Sequence, residues 1–165
     1  MISEAYREQN RKLHETYEVY GANSAKWIDK AELVCRAANS RNVLDYGCGK
    51  GGLVKALLVE GFDAKGYDPS VEEYSARPEP ADVVICTDVL EHIEPEHLEE
   101  VLDDLRRLTK KLIYLIVSTR TAKKILPDGR NAHLIVKDQK LWLEDLMKRF
   151  RLIQFHSADT GFTAL

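Results

Sequence analysis

Residues 43–52, VLDYGCGKGG, constrain this chain more than any other stretch, because an apolar run and an acid lead into glycines broken only by Cys48 and Lys50. Val43 and Leu44 read as the buried end of a parallel strand. Leu53, Val54, Ala56, Leu57 and Leu58 then carry the 3.6-residue spacing of a helix. Between the two, glycines tolerate positive φ and close approach of bare backbone, which a tight strand-to-helix turn requires. Strand, turn and helix in this order make the opening unit of a Rossmann-like sheet. The orphan N–H groups at the helix start are expected to face a polar or anionic ligand.

Two spacings fit the glycines. Gly47, Gly49 and Gly52 satisfy GxGxxG, a dinucleotide fingerprint, with Asp68 at the next strand end placed to hold a ribose. Asp45, Gly47, Gly49 and Gly51 instead give DxGxGxG. A carboxylate two residues before the first glycine suits a ligand carrying an ammonium and a sulfonium, and repels a pyrophosphate. A phosphate-binding P-loop is excluded, since no Lys-Ser or Lys-Thr pair follows the glycines.

A second block, Ala81 to Pro95, reads ADVVICTDVLEHIEP: a buried strand ending in polar residues and passing into a helix. Taken with DxGxGxG, the chain resembles class I S-adenosylmethionine-dependent methyltransferases over roughly residues 40 to 120. The resemblance implies an α/β Rossmann-like sheet, mostly parallel with an antiparallel C-terminal strand, and S-adenosylmethionine as cofactor with S-adenosylhomocysteine as product. It implies cofactor contacts from Asp45, Gly47, Cys48, Gly49, Lys50 and Gly51 in the turn. Asp68 and Pro69 follow the second strand, Asp68 taking both ribose hydroxyls, and Asp88, Val89 and Leu90 line the methionine end. Glu91 and Glu94 are equally what a helix N-terminus favours.

The plan departs from the family after Asp68. Only PSVEEYSARPEP, residues 69 to 80, separates that strand from the next, and twelve residues with two prolines cannot hold a βαβ crossover. The family's third strand is therefore expected to be missing, leaving a sheet edge at the second. Since the family's adenine contacts usually come from the end of that strand, adenine recognition is expected either to fall to this loop, with Tyr74 a candidate for stacking on the base, or to be loose.

Ser3 to Tyr20 reads as a first helix stopped near Gly21, with Tyr6, Leu13, Tyr17 and Tyr20 at helical spacing. Asn23 or Ser24 caps a second, Ala25 to Ala38, with Trp27, Ala31, Val34 and Cys35 inward. In related methyltransferases leading helices cover the cofactor cleft, so Tyr17, Tyr20 and Trp27 are candidate lid residues. Residues 96 to 111 form an amphipathic helix, acidic at its start and basic at its end, as its dipole favours. Leu112 to Val117 is a buried strand, Lys140 to Phe150 a helix, and RLIQFHSAD with GFTAL a closing antiparallel pair near Thr160 and Gly161.

With 165 residues the chain suits one domain, residues 1–39 a helical lid and 40–165 a Rossmann-like core. Net charge is −3, so nothing global points to nucleic acid or an anionic membrane. A polar N-terminus and the lack of a ~20-residue apolar run predict a cytoplasmic protein. Cys35, Cys48 and Cys86 lack CxxC spacing and an even count, so reduced thiols are expected. With no His/Cys/carboxylate cluster at ligand spacing, no metal is expected.

The ligand in an open α/β sheet lies beyond the strand carboxyl ends. The loop after Val117, STRTAKKILPDGRNAHLIVK, should therefore face the transferable methyl. Arg120, Asp128, Arg130 and Asn131 are its candidate substrate residues, and LPDGRNAHL resembles short methyltransferase-like proteins of tailed phages. Methyl transfer from a sulfonium is an in-line displacement needing alignment and at most one base, for which His92 and His133 are the candidates. The acceptor is expected to be a small molecule or polar biosynthetic intermediate. A binding module without turnover remains open. So does RNA methylation, prompted by Arg106, Arg107, Lys110, Lys111, Arg120, Lys123, Lys124 and Arg130.

Overall fold

The computed structural model describes residues 2–16 and 23–165. The sequence expectations for Tyr17, Tyr20 and Gly21 lie outside the described residues. Helix α1 spans Glu4–Thr16, and a 3-10 turn, Asn23–Trp27, leads into α2, Ile28–Ala37. Strand β1, Asn42–Tyr46, passes through the glycine turn into α3, Gly52–Val59. Then come β2, Asp63–Tyr67; β3, Ala81–Thr87; α4, Leu98–Leu108; and β4, Thr109–Ser118. Helix α5, Gln139–Met147, precedes the hairpin of β5, Phe155–Ala158, and β6, Gly161–Ala164.

The six strands form one sheet in the order β2-β1-β3-β4-β6-β5. The first four run parallel, while β6 is antiparallel to both β4 and β5. Between β2 and β3 there is only a 3-10 turn, Glu72–Tyr74, so β2 is the sheet edge and the expected loss of a third strand holds.

Alternation along the strands sorts the core into two layers, as a sheet covered on both faces requires. Leu44, Val84, Cys86 and Leu115 face α4 and α5, packing on Leu102, Leu105, Trp142 and Leu146. Their neighbours Val43, Val83 and Ile85 face the opposite way, onto Leu53 and Leu57 of α3 and Ala31, Val34 and Cys35 of α2. Each fully buried Leu, Ile or Val contributes about 1.5–3 kcal/mol. A third cluster joins Tyr6 and Leu13 of α1 to Leu126 and Ala132 of the loop after β4. The N-terminal helix is thus anchored on that loop, far along the chain.

Element ends differ from the sequence reading where tertiary partners intervene. The helix predicted over 96–111 stops at Leu108, because Thr109–Lys111 join β4: Thr109 pairs with Ala81, and Lys111 reaches Asp82 Oδ2 at 2.7 Å. Helix α2 starts at Ile28 with no side-chain cap. Ser24, expected to cap it, instead accepts the Leu53 N–H of α3 at 2.9 Å, replacing the cap that Gly51 cannot supply.

Candidate functional site

A cavity of about 260 Å³ opens beyond the carboxyl ends of β1, β2 and β3. Its floor is the turn Tyr46–Gly49, one wall is Tyr67–Ser70, and another is Thr87–Val89 with His92. Ile2, Tyr6, Asn10, Ser24, Lys26 and Trp27 cover it from the N-terminal side.

The glycine turn is satisfied from within. Gly47 and Cys48 donate to the Tyr67 carbonyl at 2.7 and 3.1 Å, Gly49 to Asp68 Oδ2 at 3.1 Å, and Gly51 to the Cys48 carbonyl at 3.0 Å. With Leu53 N–H held by Ser24, these five amides bond within the protein. The cause is β2, whose end lies alongside the turn and supplies acceptors. Gly47 sits at φ 78°, and a Cβ there would collide with Val89. Gly51, at φ 73°, has the Tyr74 ring in its missing side-chain space. Tyr74 therefore backs the turn from outside the cavity and is not positioned to stack on a base within it.

Asp45 lies beneath this turn, 2% exposed, and its Oδ2 has no hydrogen-bond partner among the described residues. Burial, reinforced by the Asp68 charge, pushes its carboxyl up to about 7. Asp68 takes one N–H on each oxygen, from Gly49 and, at 2.9 Å, from Ser70. A carboxylate offers about four lone-pair sites, so acceptor capacity remains. Pro69 lines the cavity beside it. Cys48 is buried, its thiol pushed far up by burial and the neighbouring Asp45 and Asp68 charges.

Asp88 ends β3 at φ 56°, a left-handed conformation uncommon outside glycine, and its Oδ2 lies 3.7 Å from Lys26 Nζ. Val89 lines the cavity, but Leu90 is fully buried in the α4 layer, and Lys50 and Gly51 lie off the cavity wall. The DVLEH block continues as a single 3-10 turn, Leu90–His92.

His92 and His133, expected as separate candidates, touch: their rings meet edge to face, centroids 4.7 Å apart. His92 Nδ1 lies 2.8 Å from the Ala132 carbonyl and His133 Nδ1 2.6 Å from the Arg120 carbonyl. A carbonyl only accepts, so both Nδ1 atoms carry hydrogen and Nε2 is the nitrogen that bears the lone pair in the neutral form of each ring. Burial, with His133 beside it, pushes His92 down to about 4. Glu91, fully buried, accepts the Ser118 N–H on Oε1 at 2.9 Å while Oε2 has no hydrogen-bond partner among the described residues; burial pushes it up to about 8. Glu91, His92 and His133 each bring a donor atom within 4.8 Å of the others. Spacing along the chain does not show this grouping, because the fold brings together residues with 40 others between His92 and His133.

The other expected substrate residues point elsewhere. Asn131 clamps its own loop, exchanging two 2.9 Å bonds with the Ala122 backbone and accepting the His133 N–H at 3.0 Å. Asp128 binds Arg130 at backbone and side chain and receives Gln9 of α1 at 2.9 Å. Arg120 is exposed and enters the site only through its carbonyl. Within the basic run, Arg107, Lys111 and Arg130 each pair with an acid.

Sequence reasoning missed the Tyr6 hydroxyl, which donates to the His92 carbonyl at 2.6 Å, and Glu94, which holds the Ser3 N–H and hydroxyl, each at 2.7 Å. Helical spacing marked Tyr6 as apolar packing only. Its polar contact lies 86 residues away and leaves no local signal.

The strand order, the left-handed glycine turn and the antiparallel β6 define the class I methyltransferase fold. The model of the family described as Methyltransferase domain matches residues 14–160, and the chain belongs to that family. It is similar to the ubiquinone biosynthesis O-methyltransferase of Paraburkholderia phymatum, at 28% identity over 63% of this chain and 60% of that protein. The protein of the same name from Photobacterium profundum is 24% identical over 56% of each. The chain thus spans a little over half the length of these curated relatives. Among solved structures, 1,6-didemethyltoxoflavin-N1-methyltransferase of Burkholderia thailandensis, bound to 1,6-didemethyltoxoflavin and S-adenosylhomocysteine, superposes with a TM-score of 0.68 at 13% identity, over 96% of this chain and 85% of that one. Magnesium protoporphyrin IX methyltransferase of Synechocystis PCC 6803, with bound S-adenosylhomocysteine, gives 0.57 at 18% identity, over 84% and 80%. No helix among the described residues is long and apolar enough to cross a membrane.

Proposed function

We propose that this protein transfers a methyl group from S-adenosylmethionine to a small-molecule acceptor in the cytoplasm. One observation carries the cofactor reading: the buried Asp45 oxygen with no hydrogen-bond partner among the described residues, beneath a turn in which the Gly47, Cys48, Gly49 and Gly51 amides bond within the protein. A dinucleotide pyrophosphate needs free N–H donors and no fixed acid. An ammonium needs the reverse, and Asp45 supplies it. The residues present fit the cofactor: Asp45, buried just beneath the cavity floor, for the amino group, and on the wall itself Asp68 with spare lone pairs for the ribose and Asp88 with Val89 along the methionine chain.

When bound, S-adenosylmethionine supplies an electrophilic methyl on a sulfonium. The chain's own work is orientation and exclusion of water. Residues 1–39 act as a helical cover on the 40–165 core, with Tyr6, Ser24, Lys26 and Trp27 closing the cavity from that side. His92 lines the acceptor end of the cavity, with the His133 ring packed edge to face against it. The family relatives and neighbours named for ubiquinone, toxoflavin and porphyrin methylation support a small-molecule acceptor. The three cysteines, free and buried, suit a reducing compartment.

Isothermal titration should give binding of S-adenosylmethionine and none of NAD, followed by transfer of labelled methyl into a metabolite pool. Binding of NAD without S-adenosylmethionine would overturn the reading.

A further inference from the structure

We propose that Glu91, His92 and His133 form a divalent metal site, one carboxylate oxygen and two imidazole nitrogens, that holds an oxygen-bearing acceptor beside the transferable methyl. The second half rests on the cofactor reading above; the metal site does not.

The geometry comes first. The three donor atoms lie within 4.8 Å of one another. Donors sharing one ion at about 2.1 Å stand roughly 3–3.5 Å apart, so side-chain rotation of about an ångström completes the set. Each donor is also turned inward by a backbone contact. The Arg120 and Ala132 carbonyls hold both Nδ1–H groups, which leaves Nε2 as the ligand atom on each ring. The Ser118 N–H fixes Oε1 of Glu91, and the oxygen left over, Oε2, is buried with nothing to bind. A buried polar atom without a partner costs about 1–3 kcal/mol, so its retention opposite two imidazole lone pairs calls for an occupant. Outer contacts that set ring tautomer and aim are what a metal centre needs around its ligands.

The frame around the three residues is braced. Ile135 donates to the Glu91 carbonyl at 3.0 Å and the Tyr6 hydroxyl to that of His92 at 2.6 Å, pinning the DVLEH turn to the loop after β4 and to α1. Of the three, His92 lines the cavity, so the site lies behind that part of the wall and adjoins the cavity through its ring. Two imidazoles and a carboxylate select a first-row divalent ion such as Zn²⁺ or Co²⁺ and leave coordination positions open. An acceptor hydroxyl occupying one of them gives up its proton to water more readily. Its oxygen lone pair then forms the bond to the methyl carbon while the carbon–sulfur bond breaks and its pair returns to sulfur, discharging oxyanion and sulfonium together. No protein base is required.

The untagged full chain, stripped with a chelator, is titrated with Zn²⁺ by calorimetry and with Co²⁺ by visible absorption, and S-adenosylmethionine is titrated separately. We expect one equivalent of metal, a Co²⁺ spectrum of nitrogen and oxygen ligation, and affinity weakened about 100-fold or more by His133→Ala. Glu91→Gln keeps an acceptor for Ser118 and guards against a folding defect in the first variant; it should weaken binding likewise. Absence of stoichiometric binding, or equal binding by both variants, overturns the site. Metal binding without S-adenosylmethionine binding sustains the site and overturns the cofactor reading instead.

Discussion

At the end of the cavity above Asp45, the wall is made of residues 46–49 and 67–70, which follow two strands that are neighbours in the sheet. At the end near His92, the wall carries Tyr6 from α1 and His92 from the turn after β3, backed by Glu91 of that turn and by Arg120, Ala132 and His133 from the loop after β4. The first end is held by backbone bonds within one βαβ unit, and its single bare group is an acid. The second is held by contacts between segments tens of residues apart, and its bare groups are an acid and two imidazoles. Local chain geometry fixes where a cofactor's charges go, whereas the acceptor end exists only once α1 and the late loop have docked. Perturbations at the two ends should therefore separate, and the largest fall on the cofactor end.

Asp45→Asn tests the buried acid. Its folded-state value near 7 stands above the ordinary 3.8, so the folded protein holds a proton that the unfolded chain has lost between those values. The stability this group contributes is fully present below about pH 4 and is lost as pH rises to 7, on the order of 4 kcal/mol. The asparagine variant should show a flatter stability profile over that window by chemical denaturation. Its affinity for S-adenosylmethionine should fall by about 1.5–3 kcal/mol, the worth of a charged hydrogen bond. Wild-type affinity should rise as pH passes 7. An unchanged affinity would detach the acid from the cofactor.

Gly47→Ala adds a Cβ into Val89 at a left-handed φ of 78°. Backbone strain of about 1–2 kcal/mol and overpacking of about 1–3 kcal/mol should lower Tm, and Val89→Ala in the same chain should restore only the packing part. Full rescue would show that the conformation carries no strain of its own.

Asn131→Ala attacks the other end. Three hydrogen bonds to the Ala122 and His133 backbone disappear, at about 1–3 kcal/mol of stability. Turnover should fall as His133 loses its support, while S-adenosylmethionine affinity stays put. A parallel loss of both would mean the two ends are one cooperative unit.

What was legible in the sequence follows the same division. The turn, the strand ends Asp45 and Asp68, and the missing third strand could be read because each depends on residues adjacent in the chain, through periodicity, glycine placement and loop length. The pairing of His92 with His133 could not, because no spacing rule spans a docked loop. Asn131, Asp128 and Arg130 look like binding residues by type, yet a polar loop tip also has to satisfy its own backbone, and here that demand takes all three. Ser24 shows the same competition: its hydroxyl caps a helix, as its type predicts, but the helix is α3 of the glycine turn. Ser24→Ala should cost about 1 kcal/mol and loosen the N-terminal cover over the cofactor end, read as faster hydrogen exchange at Leu53.

The smallest effect is expected at Asp128→Ala. Asp128 is engaged by Arg130 and by Gln9, outside the cavity and on the solvent side of the loop. Exposed ion pairs of this kind contribute little, and salt screens what remains. Tm, KM for the acceptor and turnover should all match the parent chain. A raised KM with unchanged Tm would break the division drawn between the two ends. It would mean that the acceptor reaches past His133 to the loop tip, so that the polar residues of LPDGRN read its far side.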